Sequence, residues 1–352
     1  MPQLPTTTKA AILTEQRRPL VVDHVELPQE LGVGQVLVKV RYSGICGSQL
    51  GEIDGVKGED RFLPHLLGHE GSGVVLAVGP GVQHVAADDV VVLHWRRGLG
   101  IESEVPIYRW GDLAVNAGCV TTFNEYAVVS ENRCTPIQSD SDLAVAALFG
   151  CAVTTGFGVV ENNARLRPGE SIIVLGAGGI GLSVVQAASL VSAYPIIAVD
   201  LHQNRLELAR ELGATDLVKV GEGDIRAALE SITGPEGVDV VVDNTGLPEM
   251  IELGYQISKP AGRVVLVGVP RAEHDIELHS LPLHFGKQLS GSHGGNGDPH
   301  VDIPRYHNLY RSGRICLSDL ITEVVGLDDI NAVIEKVRNG EAAGRCLISF
   351  ED

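Results

Sequence analysis

The apolar residues of this chain fall into two rhythms, and the change comes near Leu143. Before it, short apolar runs alternate with turns: Val36-Leu37-Val38-Lys39-Val40 after Gly32-Val33-Gly34, then Gly73 to Val78, Asp89 to Leu93 and Glu125 to Val129. Short β-branched runs broken by glycine and polar residues predict a mostly antiparallel β domain with few helices. A helix-like stretch, Leu143 to Phe149, then leads to Cys151, and Arg167-Pro168-Gly169-Glu170 punctuates the entry to a second region. From 171 to 293 strands alternate with helices. The predicted strands are 171–175, 195–199, 217–220, 238–242, 263–267 and 288–291, with helices over 179–191 and 203–212. In the second helix Leu206, Leu208, Ala209 and Leu212 recur at helical spacing. Continuous apolar strands joined by helical crossovers mean a parallel sheet covered on both faces. The stretch 294–352, with a helix over 327–339 and a strand over 346–350, holds too few elements to stand alone and is expected to rejoin the first domain. The expected domains are therefore 1–154 with 294–352, and 155–293.

Candidate chemistry sharpens the second domain first. The strand Ser171 to Leu175 runs into Gly176-Ala177-Gly178-Gly179-Ile180-Gly181, and a helix follows. In such a turn the first glycine permits the tight bend and the second lets the backbone approach a pyrophosphate. The last lets helix and strand pack closely. The helix N-terminus supplies N–H groups and the positive end of its dipole. Asp200 ends the next strand, 24 residues past Gly176. A carboxylate there can accept both adenosine-ribose hydroxyls and repels a 2′-phosphate, which points to NAD(H). The fold class is thus α/β, with a doubly wound, six-stranded parallel sheet of the Rossmann type.

Composition narrows the function classes. The chain has 352 residues, 44% of them hydrophobic, and a net charge of −18 from 45 acidic and 27 basic residues. Such a surface repels nucleic acid and anionic lipid, so neither is an expected partner. No apolar run approaches the ~18 residues of a membrane span, and Met1-Pro2-Gln3-Leu4-Pro5-Thr6 lacks the form of a signal peptide. A cytoplasmic location is expected. Six cysteines at no framework spacing, with no Cys-x-x-Cys pair, fit a reducing compartment and disfavour a structural zinc lobe.

Cys46 stands just after a strand, His69 in Gly68-His69-Glu70-Gly71 just before the next, and Cys151 at the end of a helical stretch. Two thiols and an imidazole can hold one Zn²⁺ through three protein ligands, leaving a fourth position for water or substrate. Spacing alone does not show that they converge. With Gly44-Ile45-Cys46-Gly47-Ser48, Gly150-Cys151-Ala152-Val153-Thr154-Thr155-Gly156, Gly176 to Gly181, Asp243-Asn244-Thr245-Gly246 and Gly344-Arg345, the chain resembles the zinc-dependent alcohol dehydrogenases of the medium-chain dehydrogenase/reductase superfamily over nearly its whole length.

The resemblance implies a GroES-like catalytic domain beside the Rossmann domain, with the active site in the cleft between them. It implies that Cys46, His69 and Cys151 bind one catalytic zinc, with Glu70 directly behind it and Ser48 as the first step of a proton relay. Thr155, Val267 and Val269 should flank the nicotinamide, Arg205 the adenosine ribose and Arg345 the pyrophosphate. The implied reaction is hydride transfer between NAD(H) and an alcohol or carbonyl, by a homodimer or homotetramer. The rivals are a zinc-free enone or quinone reductase of the same superfamily, whose mark would be loss of Cys46 and His69, and a non-catalytic NAD-binding redox sensor.

Three departures from the family pattern stand out. Gln49 replaces the Asp usual three residues after the first cysteine ligand, a carboxylate that orients the ligand histidine. Gly51 replaces the relay histidine of liver-type enzymes, and the four-cysteine lobe is missing. In its place stand His94-Trp95-Arg96-Arg97 and Tyr108-Arg109-Trp110. By resemblance His94 follows a strand that delivers a pocket residue. His94, Arg96 and Arg109 together therefore predict a polar substrate, such as a polyol, cyclitol or sugar-derived secondary alcohol.

Overall fold

The computed structural model describes residues 4–271 and 273–351. They divide into two compact units: Met1–Cys151 with Asp298–Arg311 and Ile321–Asp352, and Ala152–Gly297 with Ser312–Leu320. Ser312–Leu320, expected in the first domain, groups with the second, where the Gln186 side chain donates to the Cys316 carbonyl at 2.7 Å.

In the first unit the alternating runs become two β structures. Thr7–Leu13, Val21–Glu26, Ile107–Trp110, Leu113–Asn116 and His65–Leu66 close a small barrel. A seven-stranded sheet is built around the long strand Gln35–Ile45, which pairs antiparallel with Glu70–Val78, Tyr126–Ser130 and Arg345–Ser349. Val90–His94 lies on the far side of Glu70–Val78, with His94 opposite Glu70. Two apolar faces bury this sheet: Val36, Val38 and Val40 pack with Val75, Val91 and Leu93, while Ile45 packs with Ile330, Ile334 and Ile348. The helix Leu143–Leu148 begins at Asp142, whose carboxylate accepts from the N–H groups of Ala144 and Val145, the side-chain cap such an N-terminus favours.

The second unit contains a six-stranded parallel sheet ordered Asp216–Lys219, Ile196–Asp200, Ile172–Leu175, Val238–Asp243, Ser258–Leu266, Gln288–Gly291. The strand order reverses beside Ile172–Leu175, so this strand's carboxyl end is a topological switch point, the usual place for a dinucleotide. Helices Gly179–Leu190, Gln203–Glu211, Ile225–Thr233 and Pro248–Ile257 supply crossovers.

In the first unit a buried carboxylate organises several loops. Glu131, 1% exposed, accepts from the backbone N–H groups of Gln83 at 2.6 Å, His84 at 2.8 Å and Ile101 at 2.7 Å. Burial pushes its pKa up, but these donors outweigh it and hold the carboxyl below its ordinary 4.5. A carboxylate with a depressed folded pKa stabilises the fold fully above its unfolded pKa and loses that contribution as pH falls through the folded value. Glu131→Gln, which offers one acceptor oxygen to three donors, should cost about 1–3 kcal/mol near neutrality. The Tm gap between wild type and variant should close as pH falls well below 4.5. A gap that stays constant into acid would show that the carboxylate charge is irrelevant there.

Candidate active site

The first unit brings Cys46, His69 and Cys151 together. One ligand atom from each lies within 4.8 Å of the others, the only such group found among the described residues. Each is positioned by a different element. Cys46 is the N-cap residue of the helix Gly47–Ile53, His69 precedes the strand that starts at Glu70, and Cys151 follows the helix Leu143–Leu148.

The electrostatics of the cluster suit a dication. The Cys151 thiol hydrogen-bonds to Cys46, and with Arg345 and His69 nearby it pulls Cys46 well below an ordinary thiol. Cys151 is driven the opposite way by the same hydrogen bond and by burial, because two adjacent thiols cannot both ionise without a cation. Burial lowers the pKa of His69, but the Cys46 thiolate, Glu70 and Glu52 more than offset it and raise it. Soft sulfur donors and an imidazole, one side chain still protonated for want of positive charge, fit zinc.

Behind the ligands Glu70 is fully buried, and its Oε1 lies 3.1 Å from Arg345 Nε. Arg345 Nη1 also donates to the Ile45 carbonyl at 3.2 Å. The guanidinium expected at a pyrophosphate is here engaged with Glu70 and Ile45, next to the ligand cysteine. Ser43 and Thr122 hydroxyls both donate to the Glu70 carbonyl, fixing the start of that strand. Neither residue announces this role in sequence. Ser48 is exposed, with its Oγ 3.5 Å from His69 Nδ1. Gln49 accepts from the Cys46 N–H at 3.0 Å through Oε1, and its Nε2 is hydrogen-bonded to His69 Nδ1.

The expected substrate residues do not assemble. His94 is 1% exposed, and both ring nitrogens are taken, Nδ1 by the Arg96 carbonyl and Nε2 by the Thr135 hydroxyl, each at 2.8 Å. Burial pushes its pKa down to about 3, so the ring is neutral. This corrects the reading of His94 as a pocket residue: it is a hydrogen-bonded core histidine. Arg109 is exposed on the barrel strand opposite Glu26 and Ala114, in a different sheet from Glu70 and His94, and is not part of the cluster. Arg96 is half-buried over the Trp95 ring, 5.8 Å from its centroid, within the field of Asp298 and Asp302.

In the second unit the glycine turn stands at the switch point. Gly176 has φ +85°, and a Cβ at Gly181 would lie 2.0 Å from the Gly176 carbonyl oxygen, so neither position admits a side chain. A Cβ at Gly178 would meet nothing within 4 Å, and Gly179 and Ile180 open the helix half-exposed. Asp200 Oδ2 accepts from the Ala177 N–H at 2.8 Å and Oδ1 from the His202 N–H at 2.9 Å, with Arg205 Nη1 3.8 Å away. The carboxylate thus braces the turn. Asn244, named in the sequence only as part of a motif and without a role, braces it from the other side by donating to the Leu175 and Gly176 carbonyls, both at 3.3 Å. Thr155 is buried in the helix Ala152–Gly158. Val267 follows the strand Ser258–Leu266, with its N–H on the Asp243 carbonyl at 2.8 Å, and Val269 is exposed just beyond.

Residues 32–139 match the family described as alcohol dehydrogenase GroES-like domain, and residues 179–310 that described as zinc-binding dehydrogenase. Among characterised proteins the chain is 31% identical to an S-(hydroxymethyl)glutathione dehydrogenase of Synechocystis, over 95% of this chain and 98% of the relative. It is 30% identical to an alcohol dehydrogenase class-3 of Cereibacter sphaeroides, over the same shares. Among solved structures it resembles an alcohol dehydrogenase zinc-binding domain protein from Burkholderia ambifaria, with a TM-score of 0.89, 29% identity, and 98% and 99% of the two chains covered. A benzyl alcohol dehydrogenase from Acinetobacter calcoaceticus superposes with a TM-score of 0.88 at 28% identity over the same shares. With both family matches, whole-length relatives and a converged Cys–His–Cys cluster in agreement, this chain belongs to the zinc-dependent alcohol dehydrogenase family of the medium-chain dehydrogenase/reductase superfamily.

Proposed function

We propose that the protein oxidises an alcohol with NAD⁺, or reduces the corresponding carbonyl with NADH, using one zinc per chain at Cys46, His69 and Cys151. The observation that carries this reading is the convergence of those three side chains within 4.8 Å. A zinc held there would supply Lewis acidity toward a substrate oxygen, and NAD⁺ would supply the hydride acceptor. The chain's own groups do the rest. Ser48, exposed beside His69, takes the alcohol proton and passes it outward; Gly51, on the same short helix, has no side chain to receive it. Glu70 holds negative charge behind the ligands, and Arg345 keeps that charge paired in the core. In the other unit, Gly176 to Gly181 cradle the pyrophosphate and Asp200 accepts from the adenosine ribose, with Arg205 alongside. Thr155, Val267 and Val269 flank the nicotinamide.

The finer reading, a polyhydroxy or otherwise polar secondary alcohol, rests on Arg96 alone now that His94 and Arg109 are otherwise placed. Its guanidinium reaches the distal polar groups of the substrate. The test is kcat/KM with NAD⁺ for ethanol, hexanol, benzyl alcohol, S-(hydroxymethyl)glutathione and a set of polyols and cyclitols. Polyhydroxy alcohols should exceed ethanol and hexanol, and Arg96→Leu should reduce that margin about 10-fold, the scale of one charged hydrogen bond. Simple alcohols winning in wild type would end the polar-substrate reading. No NAD⁺-linked turnover of any alcohol would end the enzymatic one.

A further inference from the structure

Gln49 lies between the Cys46 backbone N–H and the His69 ring. On one side the Cys46 N–H donates to its carbonyl oxygen at 3.0 Å, the return bond of a capping box that starts the helix Gly47–Ile53. On the other, its amide nitrogen is hydrogen-bonded to His69 Nδ1. A backbone N–H can only donate, so the carbonyl belongs on the Cys46 side and the NH₂ faces the ring. Nδ1 then has to accept, which places the proton of a neutral ring on Nε2.

Metal binding requires the reverse. With Nδ1 taken by Gln49 and approached by Ser48, Nε2 is the nitrogen left for a metal, and it binds through its lone pair. The ring proton must move to Nδ1, where it meets the NH₂ of Gln49. Turning the amide over relieves His69 and sets the NH₂ against the Cys46 N–H instead. A carboxylate offers an acceptor to each donor; an amide offers one. Gln49 is 1% exposed, so water does not make up the difference.

We propose that Gln49 is a positioning residue that loosens the zinc site, disfavouring the His69 tautomer that metal binding needs, so that zinc exchanges faster and occupancy follows the free zinc concentration. The proposal rests on the zinc centre assigned above. Gln49→Glu replaces only the NH₂ by an oxygen. Zinc-loaded wild type and variants are challenged with an excess of a chromogenic chelator, and release is followed by absorbance. Gln49→Glu should release zinc about 10- to 100-fold more slowly than wild type, the usual scale for a partner of a ligand histidine. Gln49→Met, which accepts from neither donor, should release it no more slowly than wild type. In the zinc-loaded Glu variant, NMR should show a slowly exchanging His69 Nδ1–H. Equal release by wild type and Gln49→Glu overturns the proposal, as does slower release without that Nδ1–H, which would assign the effect to charge. If neither protein takes up zinc, the metal centre itself fails, and the proposal with it.

Discussion

Cys46→Ala is expected to lower kcat/KM for any alcohol substrate by about 10³-fold or more and to leave the purified protein without stoichiometric zinc. Lewis-acid stabilisation is worth several kcal/mol, and each 1.36 kcal/mol is tenfold in rate. The substitution removes the thiolate that hydrogen-bonds to Cys151 and lies within the field of Arg345. Wild type should contain one zinc per chain by elemental analysis. Among the described residues no second such cluster is found; Cys134 is buried, with its pKa pushed up, and Cys316 donates to Asp319 on the surface. Two zincs per chain would contradict this assignment, and full activity in Cys46→Ala with an unchanged Tm would remove the Lewis-acid mechanism.

NAD⁺ should be preferred over NADP⁺ by about 10- to 150-fold in kcat/KM, the range that one charged hydrogen bond of 1.5–3 kcal/mol supplies. The structure adds a second consequence. Both Asp200 oxygens already accept from backbone N–H groups, one of them Ala177 inside the glycine turn. Asp200→Ser should therefore narrow the cofactor ratio and also raise KM for NAD⁺, because the turn loses a brace. Arg205, 3.8 Å from the carboxylate in wild type, loses that ion pair in the variant. Equal kcat/KM for the two cofactors in wild type would sink the assignment, and an unchanged ratio in Asp200→Ser would move cofactor selection to other residues.

The parallel sheet was legible because its strands are buried on both faces and read as apolar runs, Ile172 to Leu175 and Val240 to Val242 above all. Ser258–Leu266 begins five residues earlier than the apolar run at Arg263 suggests, since Ser258 already pairs with Val238 and the register then shifts before Arg263 pairs with Val240. Ile321–Gly326 escaped notice because its side chains alternate between half-buried and exposed. The helix Pro299–Arg311 was hidden by Pro299, Pro304 and a run of polar residues. At the site, motif residues announced the ligands, but a motif does not reveal what a side chain is already bonded to. His94 looked like a pocket residue until both its nitrogens proved occupied. Gln49 was visible as a departure; that it bridges the Cys46 N–H and His69 Nδ1 depends on the geometry of the cap.

The strand Arg345–Ser349 runs antiparallel to Tyr42–Ile45, and Arg345 reaches the Ile45 carbonyl from 300 residues away. On the ribosome, His69 precedes Arg345 by 276 residues, about 15–55 s of synthesis at 5–20 residues per second. Throughout that interval Cys46 and His69 have emerged without the guanidinium that stands beside Cys46 and pairs with Glu70. The surroundings of the cluster are therefore finished only when this last strand docks.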